Sequence, residues 1–342
     1  MKRIAFLFIA GLFAACASAG QLEVHFIDVG QGAAVLLRTA EAAVLVDAGR
    51  DGTVASYLEL LEIPAIDLAI ATHAHADHIG GFEFVLGTLP VERIWYNGQT
   101  HTTRTFERFI DALLASDTSY EEPIRGQQID FADLVLTVLH PTGSAADYRG
   151  HLHDYNIVVR VEYGAFSVLL TGDAEVEAEL DIIRSGLEIR STVLKLGHHG
   201  SRTSSSLQFL QAVDPRVTVY QADFENSYGH PHPEVVVRVQ DVLGAELFGT
   251  DRHGTVIITT DGLSYTVTTS LDLAPGVAVE CIDINTATVD SLLRIVHVGE
   301  TRAAELILLR PFGSVNDLER IAGLGGARVQ EIVEQGLVCP IE

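Results

Sequence analysis

The stretch THAHADHIGG (residues 72–81) carries three histidines and an aspartate within six positions, directly after an apolar run. Strand alternation places His73 and His75 on the same side, and a following turn can bring Asp77 and His78 to that pocket. Imidazoles and carboxylates are ligands that Zn²⁺, Mn²⁺ and Fe²⁺ accept. Four ligands are too many for one catalytic ion with an open position. The stretch therefore predicts two divalent ions about 3.5–4 Å apart, with Asp77 also a candidate catalytic residue.

Further candidate ligands follow other apolar runs of the sequence. Asp173 ends FSVLLTGD, where its carboxylate could bridge both ions, and His153 precedes NIVVRV. His198 and His199 end the run STVLKLGHH. Asp47, in LVDAG, is expected to accept the N–H of a ligand imidazole and so fix its orientation.

Other residues are candidates for roles around the ions. His230 could donate to a developing oxyanion or protonate a leaving group, and His232 could contact substrate or be an exposed residue at a helix start. Lys195 could neutralise phosphate or lie at the edge of the core. Asp28, in FIDVGQG, is expected to organise a turn beneath the ions, and the glycines at 80–81 to form the turn that brings the ligands back.

The chain has 342 residues, 47% of them hydrophobic, and a net charge of −24. This length and composition suffice for a large buried core and more than one domain. The acidic balance repels nucleic acid and anionic membranes in general. Any nucleic-acid function must therefore meet phosphate with metal ions or backbone amides.

Residues 1–20 have the layout of a secretory signal peptide. Lys2 and Arg3 precede an apolar run, and Ala17, Ser18 and Ala19 form a small-residue cleavage pattern. This layout predicts a periplasmic or secreted protein. A lipoprotein attached at the cysteine of this segment, Cys16, is the alternative. The later sequence has no run of about 18 apolar residues, so we expect no membrane span.

The remaining chain divides into two predicted domains and a linker. Strand-like and helical runs alternate over 21–272, which favours sheets with helices packed outside. A Pro-Gly pair interrupts the pattern in the linker, 273–280, and 281–342 is predicted to be all helical. In an oxidising compartment Cys281 and Cys339 could form a disulfide; two separate thiols are the alternative.

The motifs together resemble a known superfamily. HAHADH, with the downstream aspartate and histidine pair, is similar to the metallo-β-lactamase superfamily. FIDVGQGAAVLL, LVDAG, LLTGDAE, LKLGHHGS and YGHPHPEVVVRVQ, in this order, resemble the soluble hydrolase domain of the ComEC family of competence proteins. The resemblance covers nearly all of residues 21–265. It implies an α/β fold, the αββα sandwich, with a two-metal hydrolase site between the sheets.

The resemblance also implies how the ligands divide between the ions. One ion would be held by three histidines: His73, His75 and His153. The other would be held by Asp77, His78 and one histidine of the 198–199 pair, with Asp173 between the two ions. For the third ligand of the first ion, His151 and His140 are alternatives to His153. For the last ligand we expect His198 rather than His199.

Residues 281–342 resemble a tandem helix-hairpin-helix unit, similar to the DNA-binding domain of the ComEA family. In such units a glycine turn and the following helix present backbone N–H groups to a phosphate, without sequence specificity. Here Gly323 and Gly325 form the second turn, and Arg302 and Arg328 are the candidate phosphate partners. The segment's acidic balance predicts modest, salt-sensitive DNA affinity. A helical unit used only for protein contact or stabilisation is the alternative.

These observations favour an exported two-metal phosphodiesterase that degrades DNA, with zinc as the expected metal and manganese or iron as alternatives. The helical unit would hold the nucleic acid. A second interpretation keeps the hydrolase but gives it small phosphodiesters or lactone and β-lactam substrates. A third is a non-enzymatic periplasmic DNA-binding protein with structural metals.

Overall fold

The structure is a computed structural model, and it describes residues 20–131, 133–143, 152–224, 226–271, 282–293, 295–335 and 338–339. The predicted linker, nearly all of the predicted signal peptide, and the residues His151 and Cys281 lie outside this part of the chain. Contacts divide the chain into two compact units, Met1–Leu273 and Ala274–Glu342. Each unit is described separately below.

The first unit has fifteen strands within the described residues. In chain order they are β1 (Leu22–Phe26), β2 (Val35–Arg38), β3 (Ala43–Val46), β4 (Leu68–Ala71), β5 (Arg93–Tyr96), β6 (Ser119–Glu121), β7 (Gln128–Phe131), β8 (Leu134–His140), β9 (Val158–Tyr163), β10 (Phe166–Leu170), β11 (Val193–Lys195), β12 (Val217–Tyr220), β13 (Glu246–Gly249), β14 (Val256–Thr260) and β15 (Tyr265–Thr269). They form an eight-stranded sheet, β15-β14-β1-β2-β3-β4-β5-β6, and a seven-stranded sheet, β13-β12-β11-β10-β9-β8-β7.

Helices occupy both units. The α-helices are α1 (Thr53–Leu60), α2 (Ala76–Ile79), α3 (Phe82–Thr88), α4 (Arg104–Ala115), α5 (Val176–Arg184), α6 (Leu207–Val213), α7 (Pro233–Val237), α8 (Thr250–His253), α9 (Val289–Leu292), α10 (Glu300–Leu309) and α11 (Gly326–Gln335). Short 3₁₀ segments cover Leu152–Tyr155, Gly197–Gly200 and Val315–Arg320, and a π-helical turn covers Arg238–Leu243. Within the described residues, none of these helices has both the length and the apolar character that crossing a membrane requires.

The two sheets pack face to face with helices on both outer sides. Strand β4 shows why: Leu68 and Ile70 point into the core between the sheets, while Ala69 and Ala71 pack beneath α1 to α4. Residues of α5 and α6, such as Phe209, cover the outer side of the second sheet. Because helices cover its outer side, β4 is apolar on both faces and does not alternate. The architecture confirms the predicted αββα sandwich.

The sheet topology brings polar chain segments to one edge. Strands β3, β4 and β5 are mutually parallel, and so are β10, β11 and β12. The carboxyl ends of parallel strands lie at the same edge of a sheet, where sites of α/β proteins form. Asp47, Thr72 and Asp173 lie just beyond three of these ends.

The glycine pair after the histidine motif lies in a turn, as expected. Gly80 and Gly81 connect α2 to α3 with ordinary helical dihedrals, φ of −63° and −76°, so no left-handed backbone requires glycine there. Their role is close packing: a Cβ at Gly81 would lie 1.9 Å from the carbonyl oxygen of Ala48, and one at Gly80 would lie 2.3 Å from that of Arg50. Helix α2 can therefore rest directly on the loop after β3.

The second unit is all helical apart from one isolated backbone bridge, as expected for its described residues. Its core is formed by apolar side chains of α9, α10, α11 and the turns between them, including Leu306, Leu324 and Ile332. Ile282 and Val338 form a parallel bridge that joins the two ends of the unit. Cys339 is disulfide-bonded, and the residue before Ile282 is Cys281, its predicted partner.

Candidate metal centre

The predicted ligands of the first ion come together in the structure. His73 Nε2 lies 2.9 Å from His75 Nδ1, and His153 Nε2 lies 3.1 Å from the same atom. Asp173 Oδ2 is 3.8 Å from His73 Nε2 and 3.9 Å from His153 Nε2. Each of the four side chains thus offers one ligand atom, and these atoms lie within 4.8 Å of one another. The alternative His140 instead bonds the carbonyl of Asn156 through Nδ1.

A second group lies beside the first and shares Asp173 with it. His78 Nε2 is 3.3 Å from His199 Nε2, which is 3.5 Å from Asp77 Oδ2. Asp173 Oδ2 is 3.2 Å from His78 Nε2 and 3.4 Å from His199 Nε2. One carboxylate oxygen therefore stands between two clusters of ligand atoms.

The structure differs from the expected choice within the histidine pair. His199 is buried and joins Asp77 and His78, whereas half-buried His198 bonds Glu175 through Nδ1 at 3.0 Å. Both histidines have left-handed backbones, with φ of 47° and 56°. This conformation is costly for a residue with a side chain, and strain of this kind concentrates at functional sites. It turns the ring of His199, not that of His198, toward Asp77.

Asp47 fixes the orientation of a ring in the second group, as expected. Its Oδ2 accepts from His78 Nδ1 at 2.7 Å, which leaves Nε2 pointing toward Asp173. The same carboxylate accepts from the backbone N–H and the hydroxyl of Thr72. Asp47 thereby ties the end of β4 to the histidine motif.

Sequence reasoning missed Glu175. Its Oε1 lies 3.2 Å from His153 Nδ1 and 3.0 Å from His198 Nδ1, and it accepts from the hydroxyl of Thr203 at 2.9 Å. One carboxylate thus holds the rings of two histidines at the open side of the cluster. The signal was present in the run GDAE, where a second carboxylate follows Asp173 by two residues.

His230 lies next to the cluster, on the side of His198 and His199. Its ring centroid is 5.5 Å from that of His198 and 6.2 Å from that of His199, to which it is nearly parallel. Its Nδ1 is buried and has no hydrogen-bond partner among the described residues. Burial and the neighbouring histidines lower the pKa of His230 to about 4. A neutral imidazole has one N–H to donate, so this ring can contact a substrate oxygen.

Three other predicted residues make hydrogen bonds that stabilise the surrounding structure. Lys195 is buried with its Nζ donating to the carbonyl of Gly172 at 3.1 Å, which fits the alternative of a lysine at the edge of the core. His232 begins α7, and its Nδ1 accepts from the backbone N–H of Arg202. Asp28 accepts from the backbone N–H of Gly30, as expected for a residue that organises its turn.

In the helical unit, the two predicted phosphate partners bond the turns themselves. Arg302 donates to the carbonyl oxygens of His297 in the first turn and Ala322 in the second, at 2.7 and 3.2 Å. Its guanidinium therefore joins the two turns, and the expected contact with phosphate stays a prediction. Arg328 donates to the carbonyl of Gly323 at 2.7 Å but is exposed, so its remaining N–H groups can reach solvent.

Gly323 and Gly325 have different backbone roles within the second turn. Gly323 has a φ of +81°, and the Arg302 guanidinium lies 2.9 Å from the position that a Cβ would take. A side chain there would be strained and would displace that arginine. Gly325 precedes α11 and has open space on its side-chain side. The second turn is thus exposed at the start of a ten-residue helix.

The metal centre and the helical unit both have counterparts in known protein families. The family model described as the metallo-beta-lactamase superfamily matches residues 27–222, more than half of the chain. The chain belongs to the metallo-beta-lactamase superfamily. A helix-hairpin-helix motif matches residues 277–335. Both resemblances drawn from the sequence are confirmed.

Several curated proteins are similar to part of this superfamily member. ComE operon protein 3 of Bacillus subtilis is 29% identical over 255 residues, covering 68% of this chain and 32% of the relative. Competence protein ComA of Neisseria gonorrhoeae is 32% identical over 250 residues, covering 66% and 32%. A protein named deoxyribonuclease from Thioalkalivibrio is 33% identical over 112 residues, covering 32% and 31%. The chain spans about a third of the length of these relatives.

The metallo-beta-lactamase fold implies a metal-dependent hydrolase, and the donor set fits divalent ions. Asp173 Oδ1 is buried and has no hydrogen-bond partner among the described residues, although a buried carboxylate oxygen ordinarily needs one. Imidazole nitrogens from five rings lie 2.9–3.3 Å from a neighbouring ring nitrogen. Divalent cations, one in each cluster, would satisfy these atoms, and the nitrogen and oxygen ligands suit Zn²⁺ and related metals.

At the centre, most side chains whose pKa is shifted are held in the protonation state that binds a metal ion. Burial lowers the pKa of His73 well below its usual range and that of His75 to about 4, so both imidazoles are neutral. Burial alone would raise the pKa of Asp173, but His199 and His78 lower it strongly. Burial would lower the pKa of His78, yet Asp173 and Asp47 raise it, so a cation must displace a proton there.

Proposed function

We propose that this protein is a phosphodiesterase that hydrolyses DNA with two divalent ions. The observation that carries the proposal is the pair of ligand clusters that meet at the carboxylate of Asp173. The similarity to a protein named deoxyribonuclease supports DNA as the substrate. The helix-hairpin-helix match within the same chain supports it independently.

Each ion would be held by the side chains of one cluster, and Asp173 would contact both. The first cluster contains His73, His75 and His153, and the second contains Asp77, His78 and His199. Such a pair of ions activates water near neutral pH and offsets the charge of a phosphodiester during displacement. Zinc suits the histidine-rich donor set, and manganese or iron are the alternatives.

The protein's own groups would orient the substrate on the open side of the cluster. Glu175 holds the Nδ1 side of His198, which leaves the other ring nitrogen of His198 toward the centre, 3.9 Å from Asp173 Oδ2. His230 lies 5.5 Å from His198 between ring centroids. The neutral imidazole of His230 would place an N–H against a phosphate oxygen or the leaving oxygen, whereas the inward nitrogen of His198 carries a lone pair, because the Nδ1–H of this ring is donated to Glu175. Asp77, a member of the second cluster, would orient the group that attacks the phosphorus atom.

The helical unit would keep the nucleic acid near the centre. The turn that ends in Gly325 is exposed and precedes the N-terminus of α11, where backbone N–H groups and the helix dipole favour a phosphate. Arg328 supplies a cation beside that turn. Because Arg302 bonds both turns, we expect few phosphate contacts and a modest affinity, so the salt dependence should be less steep than the sequence alone predicted.

Export is part of the proposal. The basic, apolar and small-residue pattern of residues 1–20 supports a secretory signal, with lipid attachment at Cys16 as the alternative. The disulfide at Cys339 supports an oxidising compartment, because such bonds are rare in the cytosol. A periplasmic or extracellular nuclease is consistent with both features.

The acidic charge favours a second candidate, a hydrolase of small phosphodiesters. The protein has a net charge of −24, and one of its two candidate phosphate-binding arginines, Arg302, hydrogen-bonds the backbone of the turns. Such a protein repels a long polyanion more strongly than a small phosphodiester. The two candidates share the same centre and the same residues. They differ only in what the substrate presents beyond the scissile phosphate.

Hydrolysis assays on the full chain, loaded with Zn²⁺ or Mn²⁺, separate these candidates. We expect degradation of single- or double-stranded DNA that an Asp173→Asn variant lacks. Cleavage of a chromogenic phosphodiester without cleavage of DNA would favour the small substrate, and turnover of a chromogenic β-lactam would contradict phosphodiester chemistry. DNA that is bound but left intact with every metal would indicate a binding protein instead.

A further inference from the structure

Three aromatic rings form a stack that leads from the metal centre to the surface. His199 lies in the second ligand cluster, and the ring of His230 packs beside it at 6.2 Å with an interplanar angle of 20°. The ring of Tyr228 continues the stack at 5.7 Å from His230, again at 20°. Exposure rises along the stack, from 2% for His199 and 8% for His230 to 60% for Tyr228. The outermost ring therefore presents an aromatic surface to solvent beside the centre.

The loop that carries Tyr228 is held in shape by one side chain. Asn226 Nδ2 donates to the carbonyls of Asp223 and His230, at 2.9 and 2.6 Å. Its Oδ1 accepts from the backbone N–H of His230 at 2.9 Å. These bonds close the loop on both sides of Tyr228, so the ring's place is set before any ligand arrives. A preset position reduces the entropy that binding costs.

Single exposed aromatic residues are common on protein surfaces and need no explanation. Tyr228 differs because it is stacked on a ring that is itself stacked on a predicted metal ligand. A second aromatic residue of the same loop, Phe224, is 39% exposed. Exposed aromatic rings near a phosphodiester centre match the chemistry by which proteins hold unpaired nucleobases.

The geometry points to Tyr228 as a stacking platform for an unpaired nucleobase next to the scissile phosphate. This inference rests on the proposed function, because it assumes a nucleotide substrate at the same centre. Stacking on aromatic rings tolerates every base, so it adds affinity without sequence preference. It also adds affinity without positive charge, which suits a protein with a net charge of −24.

The inference predicts a preference for single-stranded ends. Bases in an intact duplex are paired and already stacked on their neighbours, so reaching Tyr228 would cost unstacking energy. A single strand has no pairing to break. The substrate class is therefore a single-stranded polynucleotide, or the frayed or single-stranded end of a duplex.

The test compares Tyr228→Ser with Tyr228→Phe in the full metal-loaded chain. Phenylalanine keeps the ring and serine removes it, and at 60% exposure neither change should lower the melting temperature appreciably. The substrates are a single-stranded oligothymidylate and the same strand with abasic sites around the cleaved bond. We expect Tyr228→Ser to lower kcat/KM on the base-bearing strand by about five- to 150-fold, to leave the abasic strand unchanged, and Tyr228→Phe to retain activity.

A binding measurement separates failure of this inference from failure of the proposed function. A 2-aminopurine placed in the single strand should lose fluorescence when it stacks on the ring of the wild type or Tyr228→Phe, but not of Tyr228→Ser. Equal rates and equal quenching for all three proteins would overturn the stacking role while leaving a nuclease intact. Ring-dependent quenching without cleavage by any metal-loaded protein would retain the stacking site and overturn the nuclease.

Discussion

The metal centre and the hairpin turns of the helical unit use their polar side chains in opposite ways. At the metal centre, imidazoles and carboxylates face one another across 2.9–3.9 Å, so that a cation among them would be bound by several ligand atoms at once. In the helical unit, Arg302 and Arg328 donate to backbone carbonyls of the turns. At the metal centre, the ligand atoms face one another and can bind metal ions. In the helical unit, the arginine side chains hydrogen-bond the backbone and stabilise the turns.

This contrast shows what a motif alone can decide. Both regions are defined by a short sequence pattern, and in both the pattern located the structure correctly. Only at the metal centre did the pattern also predict what most of the polar side chains contact. The difference is expected physically, because a metal needs side-chain ligands, whereas a phosphate at a helix N-terminus is met by backbone N–H groups.

Loss of the shared carboxylate is expected to have the largest effect. Asp173→Asn removes the charge that stands between both clusters, so both ions should bind poorly and hydrolysis should fall by on the order of a thousandfold or more. Metal content by mass spectrometry and phosphodiesterase rate measure the two consequences together.

The matched control for this change is Asp130→Asn, an exposed aspartate of β7 outside both ligand clusters. It alters net charge by the same amount and should leave rate and metal content as in the wild type. If Asp173→Asn retained both ions and near-normal turnover, the contrast between the two regions would fail, because the centre would then hold its cations without the carboxylate that both clusters share.

A backbone contact supports the centre, and Gly81→Ala tests it. The added Cβ would meet the Ala48 carbonyl oxygen at 1.9 Å, so α2 must move away from the loop after β3. We expect a loss of about 3 kcal/mol in the free energy of unfolding, at the upper end for overpacking. Thermal or urea denaturation followed by circular dichroism measures the loss.

Gly87→Ala provides the comparison, because Gly87 lies in α3 and a Cβ there meets nothing within 4 Å. Alanine is the better helix former, so this variant should be as stable as the wild type or more so. An unchanged stability for Gly81→Ala would show that α2 is free to shift, and that the centre is less rigid than its contacts indicate.

Much of the sandwich followed from the sequence because its signals are local and repeated. Apolar runs that end in Asp, His or Gly mark strands whose carboxyl ends meet at one edge, and the spacing of His73, His75 and His78 already implies a shared pocket. The choice between His198 and His199 did not follow. Both residues have positive φ, and only the backbone path through the turn determines which ring points inward.

Other features depend on contacts between distant segments. Arg302 meets the carbonyl of Ala322 twenty residues away, and Lys195 meets Gly172 from a neighbouring strand. No pattern within either segment encodes such a pairing. Glu175 could have been found, because it is a second carboxylate only two residues after Asp173 in the run GDAE. Its bond to His153, 22 residues earlier, could not.

Asp47→Asn should have a smaller effect than loss of a ligand. Asparagine can still accept from Thr72, but it presents no negative charge to His78 Nδ1, so the ring loses its fixed orientation. We expect metal affinity to fall by about 10- to 100-fold, with the fold retained. Competition with a chromogenic chelator measures the affinity.

Asp67→Asn is the matched control, since Asp67 also accepts a backbone N–H, that of Ala43 at 2.7 Å, but lies outside both ligand clusters. This variant should lose some stability and keep its metal affinity. Equal affinities for Asp47→Asn and the wild type would mean that the ring of His78 is held by the ion alone.

The smallest effects are expected in the helical unit. There, Arg302→Gln and Arg328→Gln should distinguish a contribution to the stability of the turns from a contribution to DNA affinity. Arg302→Gln removes the donors that join the two turns and should lower the stability of the unit by about 1 kcal/mol, because its bonds are only partly buried. Arg328→Gln should leave stability nearly unchanged and reduce the slope of log affinity for DNA against log salt by about 1. Thermal denaturation and fluorescence anisotropy with a labelled oligonucleotide at several salt concentrations measure these quantities. If Arg302→Gln instead changed the salt slope and left stability intact, its guanidinium would contact phosphate in the complex, and both regions would then hold polar groups in reserve for a ligand.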